Sequence, residues 1–287
     1  MTTAWVLQGG ASFGAAQAGM ARALMEAGHH PDLLYGTSAG ALNATWLAAD
    51  PTLHGVVTLS GLWTEVERRN VFPLRPWTAV AGLLGLSDHT VSPRALARWL
   101  RGVSPLRRLE DGVLPLTVVT TDIESGEEVL LDTGPAVQAL LASTAMPGIF
   151  PPVRIGDRWL MDGSIASDTP IGPAARAGAD RVWVLPSVPA GPMARPKTAL
   201  DALLGSTSVV LAHRHEDVLR TWSGRCELYV LPAPLVPGTS PFSFGKSREL
   251  IASAYQLCSA WLEHPQPACG PPLERLTGAG STCRVVV

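Results

Sequence analysis

Short apolar runs and amphipathic stretches alternate along the first part of the chain. Trp5-Val6-Leu7 is an apolar run of strand type, and an amphipathic stretch over 15–27 follows it after a loop of small residues. A second apolar run, 33–35, leads into a helical pattern that ends near Asp50-Pro51. Gly28 stands where glycine commonly ends a helix. The pattern predicts two successive strand-helix units whose strands pair in parallel.

The rest of the chain continues this mixture of strands and helices. Strand patterns cover 114–123, 128–131, 158–161, 181–185 and 227–231, and helical patterns cover 53 into the 60s, 92–101, 136–143, 198–220 and 245–263. The first two of these strands flank the turn Glu124-Ser125-Gly126, which predicts a hairpin. Together the elements predict an α/β fold with an open, mostly parallel sheet.

A serine lies at the junction of the second predicted strand and its helix. Gly36-Thr37-Ser38-Ala39-Gly40 has the G-x-S-x-G spacing of a nucleophile elbow, in which the sharp turn leaves no room for side chains on either side of the serine. The helix that follows would place backbone N–H groups and its dipole where negative charge develops. Ser38 is therefore the candidate nucleophile, although the same pattern also suits a turn that merely packs a helix against a strand.

The loop after the first strand offers a second functional feature. Gly9-Gly10-Ala11-Ser12-Phe13-Gly14 would lie beside Ser38, because adjacent parallel strands end at the same edge of the sheet. The loop lacks both the G-x-G-x-x-G spacing of a dinucleotide site and the lysine of a phosphate-binding loop, which disfavours nucleotide binding. We predict instead that Gly9, Gly10 and Ala11 form an oxyanion hole, with the N–H groups of Gly10 and Ala11 as its donors.

Composition narrows the function classes. The 22 basic and 24 acidic residues leave a net charge of −2 without long blocks of one sign, so a nucleic-acid site is not expected. No apolar run approaches the length of a membrane span, and the first residues do not resemble an export signal, so a cytoplasmic location is expected. The four cysteines lack zinc-finger spacing, and neither a metal nor a cofactor is expected.

The stretch 75–86 is apolar and glycine-broken, with basic residues before it. It is consistent with a lid or lipid-facing helix, and equally with a short core helix in an insertion at about 63–92. A lid of this kind, with Trp63 and Trp77 nearby, would allow peripheral contact with a membrane.

Asp162 follows a predicted strand, a position where a carboxylate often only caps a turn. Its candidacy as a functional residue is supported by the motifs that precede it. Four motifs in order resemble those of the patatin-like phospholipase family: Leu7-Gln8-Gly9-Gly10-Ala11-Ser12-Phe13-Gly14-Ala15, Gly36-Thr37-Ser38-Ala39-Gly40, Ala145-Met146-Pro147-Gly148-Ile149-Phe150-Pro151-Pro152 and Asp162-Gly163-Ser164. Thr121-Asp122-Ile123-Glu124-Ser125-Gly126-Glu127 also resembles a strand and turn of these proteins, so the similarity covers about residues 4–185.

The resemblance implies a three-layer α/β/α fold with a Ser-Asp dyad that hydrolyses acyl esters of lipids. Ser38 matches the family's nucleophile and Asp162 its dyad carboxylate. The expected activity is that of a phospholipase A, lysophospholipase or esterase with an acyl-serine intermediate, and its partner is a lipid or acyl-ester substrate. We expect one domain over 1–287, with a loosely defined tail after residue 265.

Three alternatives remain open at this point. An acyltransferase would use the same acyl-serine but pass the acyl group to another acceptor, and a noncatalytic lipid-binding protein could keep the fold. A Ser-His-Asp triad would need a histidine downstream of Ser38, and His213, His215 and His264 meet this condition. Ser38 follows only two strands, however, which is early for such an enzyme. We expect His213 and His215 on the exposed side of a long helix.

The chain departs from the family pattern at three positions. Ala11 replaces a usual glycine, which restricts positive φ, and Phe13 replaces a usual basic residue, which suggests a neutral or acyl-rich substrate or a weakened site. Ser164 replaces the commoner glycine or alanine, and we expect this change to be neutral.

Overall fold

The computed structural model describes residues 1–73, 84, 86–188 and 199–268, with side chains left out at 199–204 and 208. Within these residues one sheet has eight strands. They are β1 (Thr3–Leu7), β2 (Leu33–Thr37), β3 (Leu116–Asp122), β4 (Glu128–Leu131), β5 (Val153–Ile155), β6 (Arg158–Asp162), β7 (Arg181–Leu185) and β8 (Glu227–Val230).

The strand order is β5-β6-β3-β2-β1-β7-β8, and β4 pairs with β3 outside this path. The pairs β3–β2, β2–β1, β1–β7 and β7–β8 are parallel, whereas β4 and β6 run antiparallel to β3, and β5 runs antiparallel to β6. The parallel part places the carboxyl ends of β1 and β2 side by side, as the sequence predicts, and the antiparallel part brings the end of β6 to β3.

The described helices connect these strands. They are α1 (Ala15–Glu26), α2 (Ala39–Ala49), α3 (Leu53–Glu65), α4 (Arg68–Val71), α5 (Arg94–Val103), α6 (Ala136–Ser143), α7 (Ser164–Ser167), α8 (Ile171–Arg176), α9 (Ala199–Trp222) and α10 (Ser247–Leu262). Short 3₁₀ turns cover Ala11–Gly14 and Leu109–Asp111. None of the helices in the described ranges is both long and apolar enough to cross a bilayer.

Alternate residues of the central strands face two separate apolar clusters. Trp5 and Leu7 of β1 pack in a large cluster with residues of α1, α2, α3, α6 and α10. Ala4 and Val6 pack on the other face, in a smaller cluster with residues of α8 and α9. This alternation has the period of two expected for a strand covered on both sides. It confirms the predicted three-layer α/β/α architecture with a mostly parallel sheet.

The first and last described helices pack backbone to backbone. A Cβ atom on Gly19 of α1 would lie 2.1 Å from the carbonyl oxygen of Ile251 in α10, so no larger residue fits there. The Tyr255 hydroxyl donates a hydrogen bond to Glu26 Oε2 at 2.6 Å, and the Arg22 guanidinium lies 4.4 Å from the centre of the Tyr255 ring. These contacts join the two ends of the described chain.

The predicted hairpin is present as β3 and β4, and the predicted helices and strands outside the masked segments occur within a few residues of their expected bounds. Of the predicted lid over 75–86, residues 75–83, which include Trp77, and residue 85 lie outside the described residues. The tail from 269 lies outside them as well. Trp63, at the start of the predicted insertion, is a buried residue of α3 and is only 4% exposed.

Candidate active site

Ser38 occupies the sharp turn between β2 and α2. Its backbone has φ 54° and ψ −120°, a strained conformation for a residue with a side chain. The two flanking glycines are required by close backbone contacts: a Cβ on Gly40 would lie 2.1 Å from the Leu7 carbonyl oxygen, and a Cβ on Gly36 would lie 2.5 Å from the Gly40 carbonyl oxygen. The local geometry is that of the predicted nucleophile elbow.

Hydrogen bonds hold Ser38 at both its side chain and its backbone. The Ser38 hydroxyl donates to Asp162 Oδ2 at 2.9 Å, although the two residues are 124 positions apart. The Ser38 N–H donates to Ser143 Oγ at 2.9 Å, and the Ser143 hydroxyl donates in turn to the Val119 carbonyl oxygen at 2.6 Å. Ser143 thus ties the strained turn to β3, a role that the sequence analysis did not assign.

Asp162 ends β6 opposite Thr120 of β3, and only 3% of it is exposed. Its second carboxylate oxygen, Oδ1, accepts hydrogen bonds from the N–H and the hydroxyl of Ser164 at 2.9 and 2.6 Å. Burial raises the pKa of Asp162 above its usual range, while the hydrogen bonds from Ser164 and Ser38 oppose this rise. The carboxylate is therefore more basic than a solvated aspartate and directly contacts the serine hydroxyl.

The loop after β1 lies against the elbow. A Cβ on Gly9 would lie 3.4 Å from the Ser38 Cβ. Within the described residues the N–H groups of Gly10 and Ala11 donate to no acceptor, whereas the Gly9 N–H lies 3.4 Å from the Asp168 carbonyl oxygen. Ala11 adopts φ 50° despite its side chain. The loop thus contacts Ser38 at Gly9, and its next two N–H groups have no acceptor among the described residues.

A buried chain of hydrogen-bonded side chains, two of them amides, supports this loop. Gln17 Nε2 of α1 lies 2.8 Å from each of three acceptors: the carbonyl oxygens of Gln8 and Leu185 and the hydroxyl of Ser187. Gln17 Oε1 accepts from Asn43 Nδ2 at 2.7 Å, and Asn43 Oδ1 accepts from Trp63 Nε1 at 2.7 Å. We name Gln17, Asn43 and Trp63 the amide chain.

The loop is also fixed from the C-terminal part of the chain. The Ser12 hydroxyl donates to the Ser240 carbonyl oxygen at 2.7 Å, and the Ser12 N–H donates to the Pro241 carbonyl oxygen at 3.2 Å. Phe13 is partly buried and packs against the larger apolar cluster. The loop therefore depends on packing and hydrogen bonds that sequence spacing did not reveal.

The histidines considered for a triad lie elsewhere in the described structure. His213 and His264 are exposed, and neither has a hydrogen bond to Ser38 or Asp162. The prediction that His215 is exposed is wrong: its ring is half-buried, and Nδ1 lies 2.9 Å from the Thr169 hydroxyl. The partner of the Ser38 hydroxyl is an aspartate.

An apolar groove of about 480 Å³ lies between α5 and the segment Phe150–Val153. Arg94, Arg98 and Arg101 of α5 line one side of it. Neither Ser38 nor Asp162 is among its lining residues, so this groove is separate from the candidate active site.

Several known proteins are similar to this chain. The family described as patatin-like phospholipase matches residues 5–175, which is more than half of the chain. Among solved structures, VipD from Legionella pneumophila aligns over 90% of this chain and 67% of its own, with a TM-score of 0.45 and 14% identity. The type III effector ExoU aligns over 91% of this chain and 53% of its own, with a TM-score of 0.39 and 17% identity.

Curated relatives match mainly in the same region. An uncharacterized NTE family protein of Mycobacterium bovis is 31% identical over 180 residues, which are 62% of this chain and 46% of the relative. The lysophospholipase nte1 of Aspergillus terreus is 29% identical over 183 residues, which are 63% of this chain and 11% of that protein. This chain thus spans less than half the length of either relative. With the family match over 5–175, the chain belongs to the patatin-like phospholipase family.

Proposed function

We propose that the chain is a lipid acyl hydrolase in which Ser38 is the nucleophile and Asp162 the general base. The observation that carries this proposal is the 2.9 Å hydrogen bond from the Ser38 hydroxyl to Asp162 Oδ2, at the strained turn between β2 and α2. An aspartate near its ordinary pKa is a weak base for a hydroxyl, but burial of Asp162 raises its proton affinity. Direct contact and burial together take the place of a histidine.

In the acylation step the Ser38 oxygen attacks the ester carbonyl carbon while its proton passes to Asp162. In this proposal the N–H groups of Gly10 and Ala11 donate to the oxyanion of the tetrahedral intermediate, and one such donor contributes about 3 kcal/mol in comparable sites. The intermediate then collapses, the ester C–O bond breaks, and Asp162 returns the proton to the leaving alcohol.

In the deacylation step water takes the place of the alcohol. Asp162 accepts a proton from the water as its oxygen attacks the acyl-serine, and the proton then returns to Ser38 as the acid leaves. These steps use only side chains and backbone groups of this chain. The lipid class of the substrate rests on membership of the patatin-like phospholipase family and on the relative named a lysophospholipase.

Labelling with a fluorophosphonate and hydrolysis of a panel of chromogenic acyl esters and phospholipids test the proposal. Ser38→Ala should lose labelling and hydrolysis, and Asp162→Asn should reduce both by about 100-fold or more, because the base no longer accepts the serine proton. Matched controls are Ser60→Ala, whose hydroxyl donates only within α3, and Asp217→Asn on the exposed face of α9. Both controls should keep wild-type rates.

The outcomes separate the rival functions. A folded wild-type protein that neither reacts with the probe nor hydrolyses any ester would indicate a noncatalytic lipid-binding member of the fold. Products formed only when an alcohol, amine or thiol acceptor is added, with negligible free acid, would indicate an acyltransferase using the same acyl-serine.

A further inference from the structure

A second carboxyl group lies beside the candidate dyad. Asp168 follows α7, and its Oδ2 accepts a hydrogen bond from Gln8 Nε2 at 2.8 Å. A Cβ on Gly9 would lie 2.8 Å from Asp168 Oδ1 and 2.8 Å from Ser164 Oγ, so both atoms border the same glycine. The mechanism proposed above gives Asp168 no task, although Asp168 lies between the predicted oxyanion loop and the base.

Ser164 connects the two carboxyl groups. Its hydroxyl donates to Asp162 Oδ1 at 2.6 Å and also interacts with Asp168. A hydroxyl has one proton to donate, and Asp162 receives it together with the Ser164 N–H and the Ser38 hydroxyl. Asp162 thus accepts three hydrogen bonds, and these stabilise its charged form. When the pair holds one proton, that proton is therefore expected on Asp168.

We propose that Asp168 is a positioning residue whose ionisation makes Asp162 a stronger base for Ser38. This inference rests on the proposed function and deepens it. Two carboxylates in one enclosed site repel, so a negative charge on Asp168 increases the affinity of Asp162 for the serine proton. Ser164 maintains the alignment of Asp162 while this happens. The departure from the family pattern at Ser164 is therefore part of the site rather than neutral.

The pKa of Asp168 places this effect near neutral pH. Burial and the charge of Asp162 raise the pKa of Asp168 to about 7, and the hydrogen bond from Gln8 is the largest contribution that opposes this rise. Asp162 should ionise first, and the rate should then rise a second time through about pH 7 as Asp168 ionises. The second rise follows from the increased basicity of Asp162, because Asp162 is already ionised at lower pH.

Within the described residues, charged and titratable groups of α9 also lie near the segment that carries Asp168. Arg214 of α9 donates to the Ile165 carbonyl oxygen, and His215 contacts the hydroxyl of Thr169. Arginine keeps its charge throughout the range, and burial lowers the pKa of His215. On the side of β1 the neighbour is the uncharged amide of Gln8. His215 is therefore the one rival source of a titration near neutral pH in this neighbourhood as described.

The test is the rate of fluorophosphonate labelling and of ester hydrolysis from pH 4.5 to about 9. Asp168→Asn keeps an acceptor for Gln8 but has no charge to gain, so the rise near pH 7 should disappear and the high-pH rate should fall about fivefold to tenfold in kcat, with KM unchanged. Ser164→Ala removes a donor from Asp162, so its pKa rises and the acid limb should move to higher pH. His215→Asn should keep the wild-type profile.

A wild-type profile in Asp168→Asn would overturn the inference, and so would loss of the second rise in His215→Asn instead. Equal melting temperatures of the variants exclude a folding effect, and Asp168→Glu, which restores the charge, should recover part of the rise. Failure of the proposed function looks different: wild-type protein would show no labelling that depends on Ser38, and both ideas would fall together. Labelling that is lost in Ser38→Ala but insensitive to Asp168 would overturn this inference alone.

Discussion

Two strand-to-helix turns, one after β1 and one after β2, face each other across the candidate active site. Each contains a residue with a side chain at positive φ, Ala11 at 50° and Ser38 at 54°, and within the described ranges these are the two non-glycine residues in that conformation. Their supports differ. The glycines of the elbow lie in close contact with backbone atoms of β1 and α2. The loop after β1 is held by hydrogen bonds with the amide chain and with residues 240 and 241. Close contacts restrict glycines in both turns, but at the elbow the nearest atoms belong to the backbone, whereas the hydrogen bonds of the loop reach the C-terminal part of the chain.

The largest expected effect is at the elbow. Gly40→Ala would place a methyl group 2.1 Å from the Leu7 carbonyl oxygen, and backbone on both sides cannot move away independently. We expect a loss of about 3 kcal/mol or more in the free energy of unfolding. Urea denaturation measures it. Gly61→Ala in α3 is the matched control, because its Cβ would meet nothing within 4 Å and it should stabilise by about 0.5 kcal/mol or more.

A smaller effect is expected when the polar support of the loop is removed. Gln17→Ala would leave the carbonyl oxygen of Leu185 and the amide of Asn43 with fewer partners in a buried site. The cost should be about 2 kcal/mol, accompanied by a loss of hydrolysis as the donors of the loop lose their alignment. Gln138→Ala, which removes a single exposed hydrogen bond to Arg154, should cost well under about 1 kcal/mol. Equal costs for the two variants would contradict the role of the amide chain.

The smallest effect concerns the strain at Ala11. Ala11→Gly removes the side chain from positive φ but makes the unfolded chain more flexible, and these contributions oppose each other. We expect the free energy of unfolding to change by less than about 0.5 kcal/mol and kcat by less than about threefold, since the N–H donor remains. Ala252→Gly, on the exposed face of α10, should cost about 1 kcal/mol. A cost at Ala11 as large as at Ala252 would show that its conformation is not strained.

The contrast between the turns also explains what sequence could and could not predict. Spacing of small residues marked both turns, and the apolar runs before them placed β1 and β2 side by side, because excluded volume and strand periodicity leave direct traces in sequence. The approach of Asp162 to Ser38 came only through the family resemblance, since no local pattern brings together residues 124 positions apart.

The polar side chains that support the loop and the dyad could not be predicted from sequence patterns. Gln17 and Asn43 lie in helices whose neighbouring residues are apolar, so a pattern of hydrophobic positions treats them as exceptions. Ser164 was expected to be a neutral replacement, yet it donates two hydrogen bonds to Asp162. Asp168 sits in a connection after a one-turn helix, where an acidic residue has no distinctive spacing. Their partners are distant in sequence, and only the folded chain shows them.

The packing of α1 against α10 affects when these contacts can form during synthesis of the chain. Gly19 meets Ile251, and Ser12 leans on residues 240 and 241, although the family match ends at residue 175. A nascent chain that has emerged only through its catalytic motifs would still lack the partners of α1 and of the loop after β1. Ribosomal synthesis therefore delivers Ser38 and Asp162 early, whereas α1 and the loop gain their remaining contacts only when residues 240–251 have been made.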